Sequence, residues 1–93
     1  MGEILLKVVR KVKVKNALGL HTRPATVIAK LLQGSRSTVL FSYREETVNA
    51  RSIISILMLA VGKNAQVTIT IEGEDATEIM NKLVEAFEKQ FWE

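Results

Sequence analysis

The residue best suited to take part in a chemical reaction in this chain is its single histidine, His21. A strand-like segment and the turn residue Gly19 precede it, and Arg23 and Pro24 follow it. Proline is tolerated in the first turn of a helix, so a helix is expected to begin beside the histidine. A helix start offers free N–H groups and a positive dipole end, and arginine donates charge-assisted hydrogen bonds to phosphate. This spacing predicts a site that holds a phosphoryl group on an imidazole nitrogen.

The competing interpretation of His21 is an ordinary surface histidine at a helix start. Arg23 taken alone would likewise be an ordinary surface residue of a first helical turn. However, the helix dipole favours acidic side chains in that turn, so a basic one there hints at a bound anion. We favour the phosphoryl site because the glycine, the arginine and the proline all accompany the histidine.

Hydrophobic periodicity predicts the elements that must position this site. Alternation of apolar and polar residues predicts strands over residues 8–15, where it holds in the second half, and over residues 39–43 and 67–72. A three-residue turn at residues 44–46 and a short return strand over residues 47–50 are expected between the last two. Helical spacing predicts a helix over residues 22–33, with Thr22 as its N-cap. A long C-terminal helix is expected after Asp75, whose spacing to Glu78 fits a capping box.

The apolar run of residues 53–61 fits a helix or a strand by periodicity alone. Ser52 before it and Gly62 after it favour a helix. The predicted order is therefore βαββαβα, which is typical of an α+β domain with helices on one face of a four-stranded sheet. Other split arrangements of the same elements stay open at this point.

Composition excludes several classes of protein. The 93 residues, 47% hydrophobic and 25% charged, are typical of one small globular domain. With no cysteine and one histidine, we expect no disulfide and no metal centre. No secretory signal or membrane-spanning run is apparent, so a cytoplasmic location is expected. The net charge of +3 comes largely from lysines of the first strand, which fits a solvated face or attraction to an acidic partner.

Two segments resemble a known family. Residues 16–26, Asn-Ala-Leu-Gly-Leu-His-Thr-Arg-Pro-Ala-Thr, closely resemble the active-site segment of HPr, the histidine phosphocarrier of the bacterial phosphoenolpyruvate-dependent sugar phosphotransferase system. Residues 49–54 resemble the regulatory-serine segment of that family, and the likeness extends from about Val8 to Phe87. The resemblance implies an open-faced sandwich, an antiparallel four-stranded sheet with three helices on one face. It implies a single domain over residues 1–93, with residues 1–6 as an N-terminal extension.

The resemblance also implies residue roles. His21 would accept a phosphoryl group from enzyme I and pass it to an enzyme IIA, with Arg23 as the counter-charge. Gly19, Thr22 and Pro24 would support the site. Such a carrier is a transfer intermediate rather than an independent catalyst, and it is expected to need no metal or organic cofactor of its own. A monomer is expected.

Ser52 has two compatible interpretations. It is either only the N-cap of the second helix or, as the resemblance implies, also a target of HPr kinase/phosphorylase. The apolar second helix predicts a docking surface for enzyme I and enzyme IIA, formed by Ile53, Ile54, Leu57 and Met58.

The faces of the second helix are expected to divide in a particular way. Ile53, Leu57 and Ala60 are expected to pack inward, whereas Ile54, Met58 and Val61 are expected to face outward. The alternative is a helix that is buried all round.

Two other functions compete with the sugar-system carrier. Leu18 and the segment Leu57-Met58-Leu59 resemble the nitrogen-type branch of the family, whose carriers serve regulation. The basic first strand, with Phe41 and Tyr43, loosely suggests a nucleic-acid-binding sheet, but the aromatic motif of an RNA-recognition module is missing. We therefore expect no nucleic-acid partner and no insertion into membranes.

Overall fold

The computed structural model describes residues 6–90, and its elements follow the predicted order βαββαβα. They are β1 (Leu6–Lys13), α1 (Thr22–Leu31), β2 (Thr38–Tyr43), β3 (Glu46–Asn49), α2 (Ile53–Leu59), β4 (Gln66–Gly73) and α3 (Ala76–Lys89). Residues 1–5 of the expected N-terminal extension lie outside the described part of the chain. Each predicted element is therefore present with small shifts at its ends, and the run of residues 53–61 that periodicity left open contains the helix α2.

The four strands form one antiparallel sheet in the order β1-β4-β2-β3. Alternate residues of β4, namely Val67, Ile69 and Ile71, are fully buried under the helices. The register places Val12 opposite Val67 and Phe41 opposite Ile69, so apolar residues of neighbouring strands share one face. This shared apolar face needs a cover, and the helices supply it.

The three helices pack on that single face. Helix α3 lies over β1 and β4, while α2 packs against α1 and β3. The Phe87 ring of α3 meets the Phe41 ring of β2 edge-on, with centroids 6.0 Å apart. The predicted α+β open-faced sandwich is confirmed, and its loops at one end of the sheet carry His21.

The capping box predicted at the start of α3 is wrong. Asp75 occupies the N-cap, but its side chain makes no hydrogen bond to α3. Its carboxylate accepts instead from the Ser37 hydroxyl and from the Ser35 hydroxyl, the latter at 3.0 Å. The hydrogen bond from Ser37 is the largest cause of the lowered pKa of Asp75, and Ser35 and Arg51 lower this pKa further. Desolvation of the carboxylate acts in the opposite direction but does not outweigh them. The aspartate thus ties the loop before β2 to α3.

The turn between β2 and β3 contains two residues rather than the predicted three. Arg44 and Glu45 have φ of 49° and 66°, and Glu46 already belongs to β3. A two-residue hairpin with positive φ at both positions matches the right-handed twist of the strands. The Arg44 guanidinium carbon lies 5.1 Å from the centroid of the Tyr43 ring, a cation–π contact beside the turn.

Candidate functional site

The loop that leads into α1 is fixed by backbone hydrogen bonds. The Gly19 N–H donates to the Asn16 carbonyl (3.1 Å), and the His21 N–H donates to the Gly19 carbonyl (3.0 Å). The Leu20 N–H reaches across to the Val61 carbonyl beyond α2 (2.9 Å). Each N–H from residue 19 to residue 21 therefore has an acceptor, and the loop is anchored before the helix begins.

Gly19 meets two physical requirements of this loop. Its φ of +66° lies in the left-handed region, which side chains with a Cβ rarely adopt. A Cβ there would also overlap the Val61 carbonyl oxygen and lie 2.8 Å from the Gly62 Cα. The close approach of the two backbones is thus possible only for glycine.

His21 itself is the N-cap of α1, one residue before the position that the sequence predicted. The assignment of Thr22 as N-cap is wrong, because Thr22 is already helical and its carbonyl accepts from the Thr26 hydroxyl (2.9 Å). The His21 carbonyl accepts the first intrahelical bond, from the Ala25 N–H (3.0 Å), while the imidazole makes no capping hydrogen bond. The half-buried imidazole ring therefore does not serve as a helix cap.

The first turn of α1 leaves hydrogen-bond donors beside the histidine. Among residues 6–90, the N–H groups of Thr22 and Arg23 have no acceptor, and Pro24 has no N–H to satisfy. The Arg23 side chain is exposed, whereas Pro24 and Ala25 are buried and hold the turn in place. Two backbone donors, a helix dipole and a guanidinium can thus stabilise an anion next to the His21 ring.

His21, Thr22 and Arg23 line one open depression on the protein surface. Its remaining walls are Ala17, Leu18, Thr26, Val27 and Lys30. Among the described residues no acidic side chain lines it, so its charge is positive.

Lys30 was not singled out from the sequence. It follows Arg23 by seven residues, a spacing that places both cations on the same side of a helix, and that signal was available. Leu18, which is 74% exposed, forms the apolar side of the depression.

Ser52 does not line this depression but starts the neighbouring helix. It is the N-cap of α2, as predicted, and its Oγ accepts from the Ser55 N–H (3.2 Å). The side chain is half-buried. The capping role of Ser52 is therefore present in the structure, independently of any modification.

Arg51, directly before Ser52, is engaged with the backbone. Its guanidinium donates to the carbonyls of Leu32, Ser35 and Ser37, each at 2.7 Å. These contacts tie the start of α2 to the end of α1. Local sequence gives no sign of these contacts, because the acceptors lie 14 to 19 residues away.

The outer face of α2 is apolar and open. Ile54 and Met58 are 70% and 75% exposed, and Leu57 is partly exposed, whereas Ile56 and Leu59 are buried. The expectation of outward-facing Ile54 and Met58 is therefore correct, and the alternative of a helix buried all round is wrong.

Three expected orientations on α2 need correction. Leu57 and Ala60 do not pack inward, and Val61 is buried rather than outward. Ala60 ends the helix in the left-handed conformation with φ of 56°, which turns the chain inward. This reversal buries Val61 and presents its carbonyl to Leu20. Ile53 is half-buried and packs against the core.

Residues 6–90 contain neither a metal-binding cluster nor a membrane-spanning helix. No group of three or more His, Asp or Glu side chains is arranged to bind a metal ion. None of the helices in this range combines the length and hydropathy of a bilayer-spanning segment.

Comparisons with known proteins agree with this geometry. The family model described as "PTS HPr component phosphorylation site" matches residues 8–89. The phosphocarrier protein HPr of Chlamydia muridarum is 44% identical over 80 residues, which are 86% of this chain and 77% of that protein. HPr-C-His from Thermoanaerobacter tengcongensis has a TM-score of 0.87 and 31% identity, covering 92% of this chain and 97% of that one. HPr from Bacillus anthracis has a TM-score of 0.82 and 33% identity, covering 87% and 96%.

The match extends over most of the chain and includes the loop and helix that carry His21. The chain therefore belongs to the HPr family, the phosphocarriers of the phosphotransferase system.

Proposed function

We propose that this protein accepts a phosphoryl group on His21 from phosphorylated enzyme I and passes it to an enzyme IIA of sugar transport. The observation that carries the proposal is the imidazole without a capping bond at the start of α1, beside the N–H groups of Thr22 and Arg23. A ring nitrogen, Nδ1 by the family resemblance, attacks phosphorus. The new P–N bond forms as the bond between phosphorus and the donor breaks, and transfer to the acceptor reverses this step.

In this proposal the protein supplies position and charge, which phosphoryl transfer mainly requires. Arg23 neutralises phosphate oxygens, and Gly19 and Pro24 give the loop and the first turn their shape. The depression is open, so two different partner sites can reach the ring in succession. We further propose a monomeric cytoplasmic carrier with one domain and no cofactor of its own.

Docking of enzyme I and enzyme IIA is proposed for the apolar face of α2. Ile54 and Met58 are largely exposed, with Leu57 and Ile53 at its margin. Exposed apolar patches of this kind commonly mark protein–protein contacts. The chain directly after α2 is joined to the site loop by the Leu20–Val61 hydrogen bond, which supports a docking role for this helix.

Intact-mass measurement after incubation with enzyme I, Mg²⁺ and phosphoenolpyruvate tests the central step. One acid-labile phosphate is expected on the wild type and none on His21→Ala, whose fold should stay intact. Arg23→Ala should slow transfer with little change in the free energy of unfolding, whereas Arg36→Ala, an exposed arginine outside the depression, should not slow it. Full phosphorylation of His21→Ala by enzyme I would contradict the assignment.

A nitrogen-type regulatory carrier is the second candidate. The observation that favours it is the exposure of Leu18 and Met58, 74% and 75%, within the two segments that resemble that branch. The two candidates differ in which enzyme I phosphorylates the protein more efficiently. The sugar-system carrier requires a higher kcat/KM with the sugar-type enzyme I than with the nitrogen-type enzyme I, and the opposite order supports the regulatory carrier.

Regulation at Ser52 by HPr kinase/phosphorylase is also proposed. A phosphate on this N-cap would add negative charge at the start of α2, beside the proposed docking face. Kinase and ATP should add one acid-stable phosphate to the wild type and to Ser55→Ala but none to Ser52→Ala. Modification of Ser52→Ala to the same extent would remove Ser52 from the proposal.

A further inference from the structure

Asn16 is an unusual residue to find beneath the site loop, because its polar side chain is only 1% exposed. Its Nδ2 donates to the Gly19 carbonyl, while its Oδ1 has no hydrogen-bond partner among the described residues. A buried amide with an unsatisfied acceptor is unfavourable for folding, and a smaller side chain would avoid that penalty. The hydrogen bond from Asn16 Nδ2 is the one that an asparagine at this position supplies.

That contact is made to one particular peptide group. The Gly19 carbonyl and the Leu20 N–H belong to the same planar unit. The carbonyl accepts from Asn16 Nδ2 and from the His21 N–H (3.0 Å), and the N–H donates to the Val61 carbonyl (2.9 Å). The plane is therefore held at both ends, by Asn16 inside the loop and by the chain after α2.

We infer that Asn16 is a positioning residue for His21, acting through this peptide plane. The next peptide group along the chain carries the His21 nitrogen, so rotation of the held plane would displace the histidine backbone. The backbone carbonyl of Asn16 also accepts from the Gly19 N–H (3.1 Å), so Asn16 bonds both the N–H and the carbonyl of Gly19. The inference rests on the proposed function of His21, since position matters most for a group that must align with phosphorus.

The test is Asn16→Asp, which keeps the side-chain shape but removes the donor and sets a carboxylate against the Gly19 carbonyl. With enzyme I as donor, the kcat for phosphorylation should fall roughly 10- to 100-fold, as expected for a misplaced reacting group. The KM for this protein should stay unchanged, because the exposed docking residues are untouched. A wild-type kcat in this variant overturns the inference.

Ser37→Ala is the matched control. Ser37 is a buried polar residue like Asn16, 2% exposed, and its hydroxyl bonds Asp75 instead of the site loop. It should lower the Tm and leave kcat unchanged at temperatures where both variants are folded. A comparable loss of kcat in Ser37→Ala would show that general destabilisation is responsible, and would overturn the positioning role.

A second variant and a second readout keep the test independent of folding and of phosphoryl transfer. Asn16→Ser introduces no charge, but its shorter side chain cannot reach the Gly19 carbonyl in the same way. NMR measures the chemical shifts of the His21 ring and amide, and hydrogen exchange measures the protection of the Leu20 amide. The inference requires shifted His21 signals and lower protection at Leu20, and unchanged values overturn it. Absence of phosphate on the wild type would refute the proposed function, while these NMR values would still decide the role of Asn16.

Discussion

Replacing Gly19 with alanine should destabilise this protein through two separate effects. An L-residue held in the left-handed conformation costs about 1–2 kcal/mol, and Gly19 has φ of +66°. The new Cβ would overlap the Val61 carbonyl oxygen and lie 2.8 Å from the Gly62 Cα, and these backbone atoms cannot rotate away. Overpacking of this kind costs about 1–3 kcal/mol. The expected loss in the free energy of unfolding is therefore about 2–5 kcal/mol.

Gly34→Ala separates the two effects. Gly34 has φ of +84°, but a Cβ there would have no heavy atom within 4 Å. The conformational cost and the reduced freedom of the unfolded chain are similar in both variants, so they largely cancel in the comparison. Since 1 kcal/mol shifts the Tm of a domain this size by about 4–8 °C, Gly19→Ala should melt roughly 10 °C below Gly34→Ala.

Thermal melts followed by circular dichroism, with urea denaturation in parallel, measure this difference. Equal Tm values for the two variants would refute the close approach of the loop to residues 61 and 62. At a temperature where both variants are folded, Gly19→Ala should also accept phosphate more slowly, because the Leu20–Val61 hydrogen bond cannot form without a shift of the loop. Gly34→Ala should keep the wild-type rate.

Three further changes test the contacts around α2 and α3. Arg51→Ala should lower the free energy of unfolding by about 2 kcal/mol in urea titrations, because three hydrogen bonds to carbonyl groups are lost. Arg51→Lys should recover only part of this loss, because an ammonium group cannot make all three of these hydrogen bonds at once. Ser52→Ala should cost about 1 kcal/mol through the lost cap, and Ser55→Ala, which keeps the capped N–H, should cost less in the same melts. The stability that the Asp75 carboxylate contributes is fully present above its ordinary pKa of 3.8 and is lost as the pH falls through the lower pKa of the folded state. The Tm advantage over Asp75→Asn should therefore shrink below pH 3.8, and a constant difference would contradict the lowered pKa.

The element order could be predicted because its signals are local. The alternation in β4 arises within one element, and so does the apolar stripe of α3, formed by Ile79, Leu83 and Phe87. A strand or helix period is visible without knowledge of the partner. The faces of α2 could not be predicted in the same way. Its residues are apolar almost all round, so no polar side marked the solvent, and Leu57 and Val61 were placed on the wrong faces.

The contacts that hold the site in place could not be predicted from the sequence either. The side chain of Asp75 was expected to bond the start of α3 because its spacing to Glu78 is local, but its serine partners lie 38 and 40 residues away. The His21 motif was recognisable as a chemical unit from Gly19, Arg23 and Pro24, whereas the Leu20–Val61 bond joins distant segments. Residue types can therefore indicate the chemistry, while the long-range bonds that orient it require the fold.

A phosphocarrier has two opposing needs, since its histidine must reach different partners and yet return to the same place. In the proposed function, the pattern of burial around His21 meets both. Leu20 before it and Ala25 after it are buried, so the backbone on each side is anchored in the core, while the half-buried ring and the exposed Arg23 face the solvent. Changes at exposed Leu18 should then alter the KM for a partner without changing kcat, whereas changes at Gly19 should alter kcat. Recognition and positioning thus reside in neighbouring residues of one loop that differ in burial.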